Sequence, residues 1–148
     1  MARSIIAVIA SYVLMSVLTF IIFSGLYMVL RADGSFKPGT FESSNLWMVA
    51  AFLASFVIAV IAGFVCSVIA RGGKAPLVLA IVVFVLGLLL AIPSLMAKKT
   101  NAGLVRGSGD VPMMEAMQKA QEPDWAPFAL PFITAAGVLI GGRLKRRS

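Results

Sequence analysis

The chain has no histidine, one cysteine and six carboxylates in 148 residues, and charged side chains of both signs make up only 13% of it. Without imidazole there is no bis-imidazole haem, no His-ligated zinc or copper, and no Ser-His or Cys-His nucleophile. Cys66 has no second thiol to pair with, so no internal disulfide forms, and inside its apolar run it reads as a small apolar residue. Neither Gly72-Gly73 nor Gly107-Ser108-Gly109 continues into a phosphate-loop pattern. Asp110 and Glu115 are near enough in sequence to invite an acid pair, but in a glycine-broken polar stretch solvated helix caps are the plainer role. No catalytic, cofactor-binding or metal-ligating residue is expected, and the chain is not expected to be an enzyme.

What fills the sequence instead is hydrocarbon. Apolar residues make up 60% and the mean hydropathy is +0.99, against about 45–50% apolar and about 25% charged in soluble domains. A water-soluble fold of this size leaves roughly a third of its unfolded surface exposed and has nowhere to hide so much apolar area. Lipid is the expected solvent for most of the chain.

Four uncharged runs stand out, at residues 4–30, 46–70, 75–97 and 126–142. About 20 helical residues, rising 1.5 Å each, cross a hydrocarbon core roughly 30 Å thick. The first run is nearly twice the ~7–15-residue apolar core of a signal peptide, so a retained span is expected there. The fourth is short and carries Pro127, which suits a first turn, and Pro131, which predicts a local bend. The expected fold is a single all-α membrane domain over residues 1–148. Its four transmembrane helices form an antiparallel up-down bundle, with outer loops at 31–45 and 98–125 and a short amphipathic helix in the second of these.

Sorting the charges by alternating spans puts Arg3, Arg71, Lys74, Arg143, Lys145, Arg146 and Arg147 on the side of the termini, with no acid among them. The six remaining cations lie opposite, balanced by all six acids. Cations concentrate on cytoplasmic loops, so both termini are expected in the cytoplasm; the bacterial inner membrane fits so short and compact a chain. The high pI calls for no nucleic acid. Arg143, Lys145, Arg146 and Arg147 follow a span end directly, where each cation gains about 1 kcal/mol against anionic headgroups. Trp47 and Trp125 fall at outer span ends, the level of an aromatic belt.

Helices associate in lipid through small residues that let backbones approach. Ala51, Ser55, Ala59, Gly63 and Ser67 recur every fourth residue, a smooth stripe about 24 Å long. Gly87 with Ala91, and Gly137 with Gly141, supply shorter versions on the third and fourth spans. These stripes face either the chain's own helices or another subunit. Tyr12, Ser16 and Thr19 share a face of the first span; interhelical hydrogen bonding is the plainer role, and lining a path for an uncharged solute the sharper one. No span contains an ionisable Asp, Glu, Lys or Arg, which argues against proton relays, voltage sensing and ion-coupled transport.

In the shorter loop, Phe36 and Phe41 are placed to dip into the membrane interface. The longer one opens with a glycine-ended flexible stretch, breaks again at Gly107–Gly109, and then carries a short helix begun by Asp110 and Pro112. Met113, Met114, Met117 and Ala120 are expected on one side of it, against the membrane or a partner. Clustered thioethers also suit copper(I), but no His or Cys stands by to complete a site, and Met is an adaptable packing surface.

The expected function is that of a non-catalytic integral membrane protein acting through helix packing, as an accessory or scaffold subunit contacting other membrane subunits or itself. A homo-oligomeric channel or carrier for a small uncharged solute is the alternative, and handling of a lipid or quinone a third.

Overall fold

Uncharged runs bounded by cations become helices because, away from water, the backbone can satisfy its polar groups only within the segment. The computed structural model describes residues 2–71, 73–101, 103, 105, 107 and 111–147. Among these it contains α1 (Ala2–Ser35), α2 (Asn45–Ala70), α3 (Ala75–Asn101), α4 (Met113–Lys119) and α5 (Ala126–Arg147), and no strand. α1, α2, α3 and α5 are each long and apolar enough to cross a membrane. Gly72, Ser108, Gly109 and Asp110 lie outside the described residues, as does the side chain of Arg146.

The helix ends depart from the sequence reading in three places. α1 passes through a break at Arg31 (φ 53°, ψ −173°) and takes one further turn, so the residue that ends the apolar run also ends the regular helix. α3 continues through Lys98 and Lys99 to Asn101, where a flexible stretch is expected. Cations favour a helix C-terminus, and no breaker intervenes before Gly103. α5 is one helix with Pro131 inside it and runs on past Gly142 to Arg147, so its terminal cations sit on the helix itself. α2 starts at the Ser44 cap, whose hydroxyl accepts from the Trp47 amide at 3.1 Å, and stops at Arg71 in the left-handed region (φ 55°).

α2 and α5 share the most extensive contact; α1 rests mainly on α2, and α3 mainly on α5. The buried core of the bundle gathers Ala7, Ala59, Ala62, Cys66, Ala75, Leu79, Ala80, Val83 and Val138. Ala, Cys and Val dominate because close helix approach leaves room for little else.

A second, smaller core lies among the loops, where Phe36 and Phe41 are expected at the membrane interface. They are buried instead, edge to face at 5.7 Å, with Ala32 and Ala116 around them. The segment is held by backbone bonds Lys37 N–H to Glu42 C=O (2.8 Å), Ser43 N–H to Gln121 C=O (2.8 Å) and Gln121 N–H to Phe41 C=O (2.9 Å). α4 thereby docks on the 36–44 turn, and Lys119 caps the Phe41 ring at 5.4 Å.

Candidate functional site

The small-residue stripe decides which helices touch. At Gly63 a side-chain methyl would run into the Val138 carbonyl; at Gly137 it would meet Ala59 and the Phe56 carbonyl, and at Gly141 the Val60 carbonyl. The glycines of α5 and the stripe of α2 therefore interlock backbone to backbone. Ala51, Ala59, Gly63 and Ser67 are all buried, and Ser55 faces an adjoining cavity. Gly87 of α3 takes the Pro131 ring in the space where its side chain would be, and Ala91 is buried one turn further on. The ring that costs α5 one backbone bond thus fills a notch in α3.

α1 and α3 behave differently. They converge near Ala7, Ala75 and Leu79 but make a smaller contact than α1 makes with α2 or α3 with α5. Between them, and floored by α5, lies a cavity of about 680 Å³. Its walls include Phe20 and Phe23 from α1, Val83, Leu86 and Leu90 from α3, and Leu130 and Pro131 from α5. That volume falls within the ~300–1,000 Å³ range of small-molecule sites. Phe20 and Leu90 line it while remaining 65% and 64% exposed, so its mouth faces outward between the two helices.

Tyr12, Ser16 and Thr19 all line this cavity. The Ser16 and Thr19 hydroxyls are not offered across it as interhelical partners. Ser16 donates to the Tyr12 carbonyl at 3.0 Å and Thr19 to the Met15 carbonyl at 2.7 Å, each one turn back on α1. Thr134 on α5 does the same toward Leu130 (2.9 Å) and Pro131 (3.1 Å). Three of the hydroxyls on this wall are therefore already satisfied within their own helices.

At one end α4 closes the cavity with Met113, Ala116, Met117 and Ala120. Met114 is 68% exposed and does not line the cavity. Polar groups gather at this end. The Tyr27 hydroxyl donates to the Val111 carbonyl at 2.6 Å. Ser35 is only 2% exposed, lines the cavity, and its hydroxyl has no hydrogen-bond partner. Glu122 also lines it, and burial raises the pKa of its carboxyl from the ordinary value. Trp47 stands beside them, edge-on to Phe23 (5.9 Å) and Tyr27 (6.4 Å).

Ser35 and Glu122 escape sequence reasoning altogether. Each stands in a segment rich in polar and turn residues, and no local pattern marks either as buried; only the docking of α4 on the loop encloses them. Arg143, Lys145 and Arg147 are exposed at the far end of α5. Among the described residues no cluster of three His, Cys, Asp or Glu side chains is placed to hold a metal ion.

No protein-family model, curated protein or solved structure matches the chain.

Proposed function

We propose that the chain is a non-catalytic integral membrane protein that binds a molecule drawn from the bilayer in the cavity between α1 and α3. The observation that carries this reading is the cavity itself: about 680 Å³ of space walled mainly by apolar side chains in a helical bundle whose α2–α5 contact closes down to backbone. In this reading the four spans alternate direction through the membrane. The four-residue link 71–74 leaves α2 and α3 little choice but an antiparallel hairpin. Both termini and the Arg143, Lys145 and Arg147 cluster then lie in the cytoplasm against anionic lipid, and α4 lies on the outer side.

A second reading, that of an accessory or scaffold subunit, is favoured by Met114, which is held out from α4 on an ordered docked segment. The stripe residues are occupied within the chain, so such a partner would meet α4 or the lipid-facing surfaces rather than the stripe. A channel or carrier for a small uncharged solute draws less support. The Tyr12/Ser16/Thr19 wall directs its Ser16 and Thr19 hydroxyls back at α1, and the buried cluster of Ala7, Ala75 and Leu79 lies where a through-going route would have to continue.

One experiment separates these. The protein, extracted in a mild detergent, is weighed by native mass spectrometry. A bound non-protein mass that survives detergent exchange supports the binding reading, and a stoichiometric second polypeptide supports the subunit reading. A bare chain, free of both, would overturn the two together.

A further inference from the structure

The two ends of the cavity differ in chemistry, and the difference specifies what fits. Away from α4 the walls are Phe20, Val83, Leu86 and Leu90, with the Ser16 and Thr19 hydroxyls turned back on α1. At the α4 end stand Tyr27, Ser35 and Glu122. The Ser35 hydroxyl is a donor and an acceptor, buried and without a partner; Ser11, Ser24, Ser43 and Ser67 share that state, and Ser35 is the one of the five that lines the cavity. The Tyr27 hydroxyl is engaged with the Val111 carbonyl. Glu122 lines the same end, its pKa raised by burial, and its carboxyl oxygens accept hydrogen bonds. No Lys or Arg is among the described residues that line the cavity, so nothing there balances a phosphate or a carboxylate. Phe20 lies about 16 Å along α1 from Arg31, which sets the open mouth at hydrocarbon depth.

Resting on the binding reading above, we propose that the cavity is the site of an uncharged single-tailed amphiphile. Its hydroxyl- or carbonyl-bearing head pairs with Ser35 and Glu122, and its tail lies along the gap between α1 and α3. About 680 Å³ is the size of a small-molecule site, enough for the head and part of one tail, with the tail end leaving through the Phe20–Leu90 mouth. The molecule arrives sideways from the membrane without crossing water.

Trp47 lines the polar end and provides the readout. Replacing the other tryptophan, Trp125→Phe, leaves Trp47 as the sole indole emitter. This variant, in dioleoylphosphatidylcholine vesicles, is titrated with a monoacylglycerol whose tail is dibrominated, and in parallel with the fatty acid and the lysophosphatidylglycerol bearing the same tail. The monoacylglycerol is expected to quench Trp47 saturably, at a tenth or less of the concentration the two anionic probes need. Unbrominated monooleoylglycerol is expected to restore the fluorescence, a check that requires no further variant. Adding Ser35→Ala is expected to raise the midpoint about five-fold, the weight of one hydrogen bond, and Ser16→Phe, which fills the cavity, to abolish saturation. Equal midpoints for the three heads, or an unchanged midpoint in Ser35→Ala, would overturn the head assignment while leaving an apolar binding site standing. Quenching that never saturates with any probe would remove the binding reading too.

Discussion

The two sides of this bundle are made of the same apolar residues and end in opposite states. Between α2 and α5, glycine meets backbone: Gly63 against Val138, Gly141 against Val60. Between α1 and α3 there is a cavity, and Gly25 of α1 has nothing within 4 Å of where a side chain would begin. Hydrophobicity cannot account for the difference, because lipid is as apolar as the helices. What differs is side-chain size at the contact, since dispersion requires atoms in touch. Small residues at every fourth position let one pair of helices close completely. Between the other pair the large side chains of Phe20, Phe23, Leu86 and Leu90 line a gap beyond the contact at Ala7, Ala75 and Leu79. The tight side is a frame and the loose side is the space it keeps open.

The comparison breaks first at the glycines. Gly63→Ala or Gly141→Ala pushes a methyl into a carbonyl on the facing helix, with no flexible side chain to yield. Each is expected to destabilise the bundle by about 3 kcal/mol or more, read as a large drop in thermal unfolding temperature in mild detergent. Gly63→Ala with unaltered stability would show that the two helices do not lock there. Next comes the loop core: Phe36→Ala removes a buried ring and is expected to cost about 3 kcal/mol locally. That loss should appear as protease cleavage within 36–44 and around α4, while the spans stay folded.

How much of this was legible in the residues follows from the range of the forces involved. The four spans could be read because each is an unbroken uncharged run, and the Ser55–Gly63–Ser67 periodicity because it is local to one helix. Which helix the stripe meets could not be read, since α1, α3 and α5 all offer small residues. Phe36 and Phe41 look like interfacial anchors in sequence; their burial needs α4, some 75 residues away in the chain, to return over them. The cavity is least legible of all, being a place where side chains fail to meet. Ser35 and Glu122 acquire their character only from that enclosure.

Smaller effects sharpen the contrast. Gly25→Ala, on the open side, is expected to raise stability by about 0.5–1 kcal/mol through helix propensity alone, the opposite sign from Gly63→Ala; a loss of stability would mean that α1 is packed where it looks free. Lys98→Ala, which removes the 2.7 Å pair with the exposed Asp124, is expected to change stability by about 1 kcal/mol or less. Glu122 gives a pH signature. Its carboxyl is raised in the fold above the ordinary 4.5 of the unfolded chain, so the folded protein holds that proton more tightly. This contribution is complete below the unfolded value and is lost as pH rises through the folded one. Glu122→Gln should flatten that part of the stability–pH curve, and an unchanged slope would place the carboxyl in water.

The most direct measurement is to map where an uncharged amphiphile touches the protein in the membrane. A monoacylglycerol with a photoactivatable diazirine in its tail is reconstituted with the full chain, irradiated, and the adducts located by peptide mass spectrometry. Adducts concentrated on Phe20, Leu86 and Leu90, and displaced by excess unlabelled monoacylglycerol, are the expected result. Adducts spread evenly over outward-facing residues such as Ile5, Leu53 and Val57, and indifferent to the competitor, would contradict a binding site between α1 and α3.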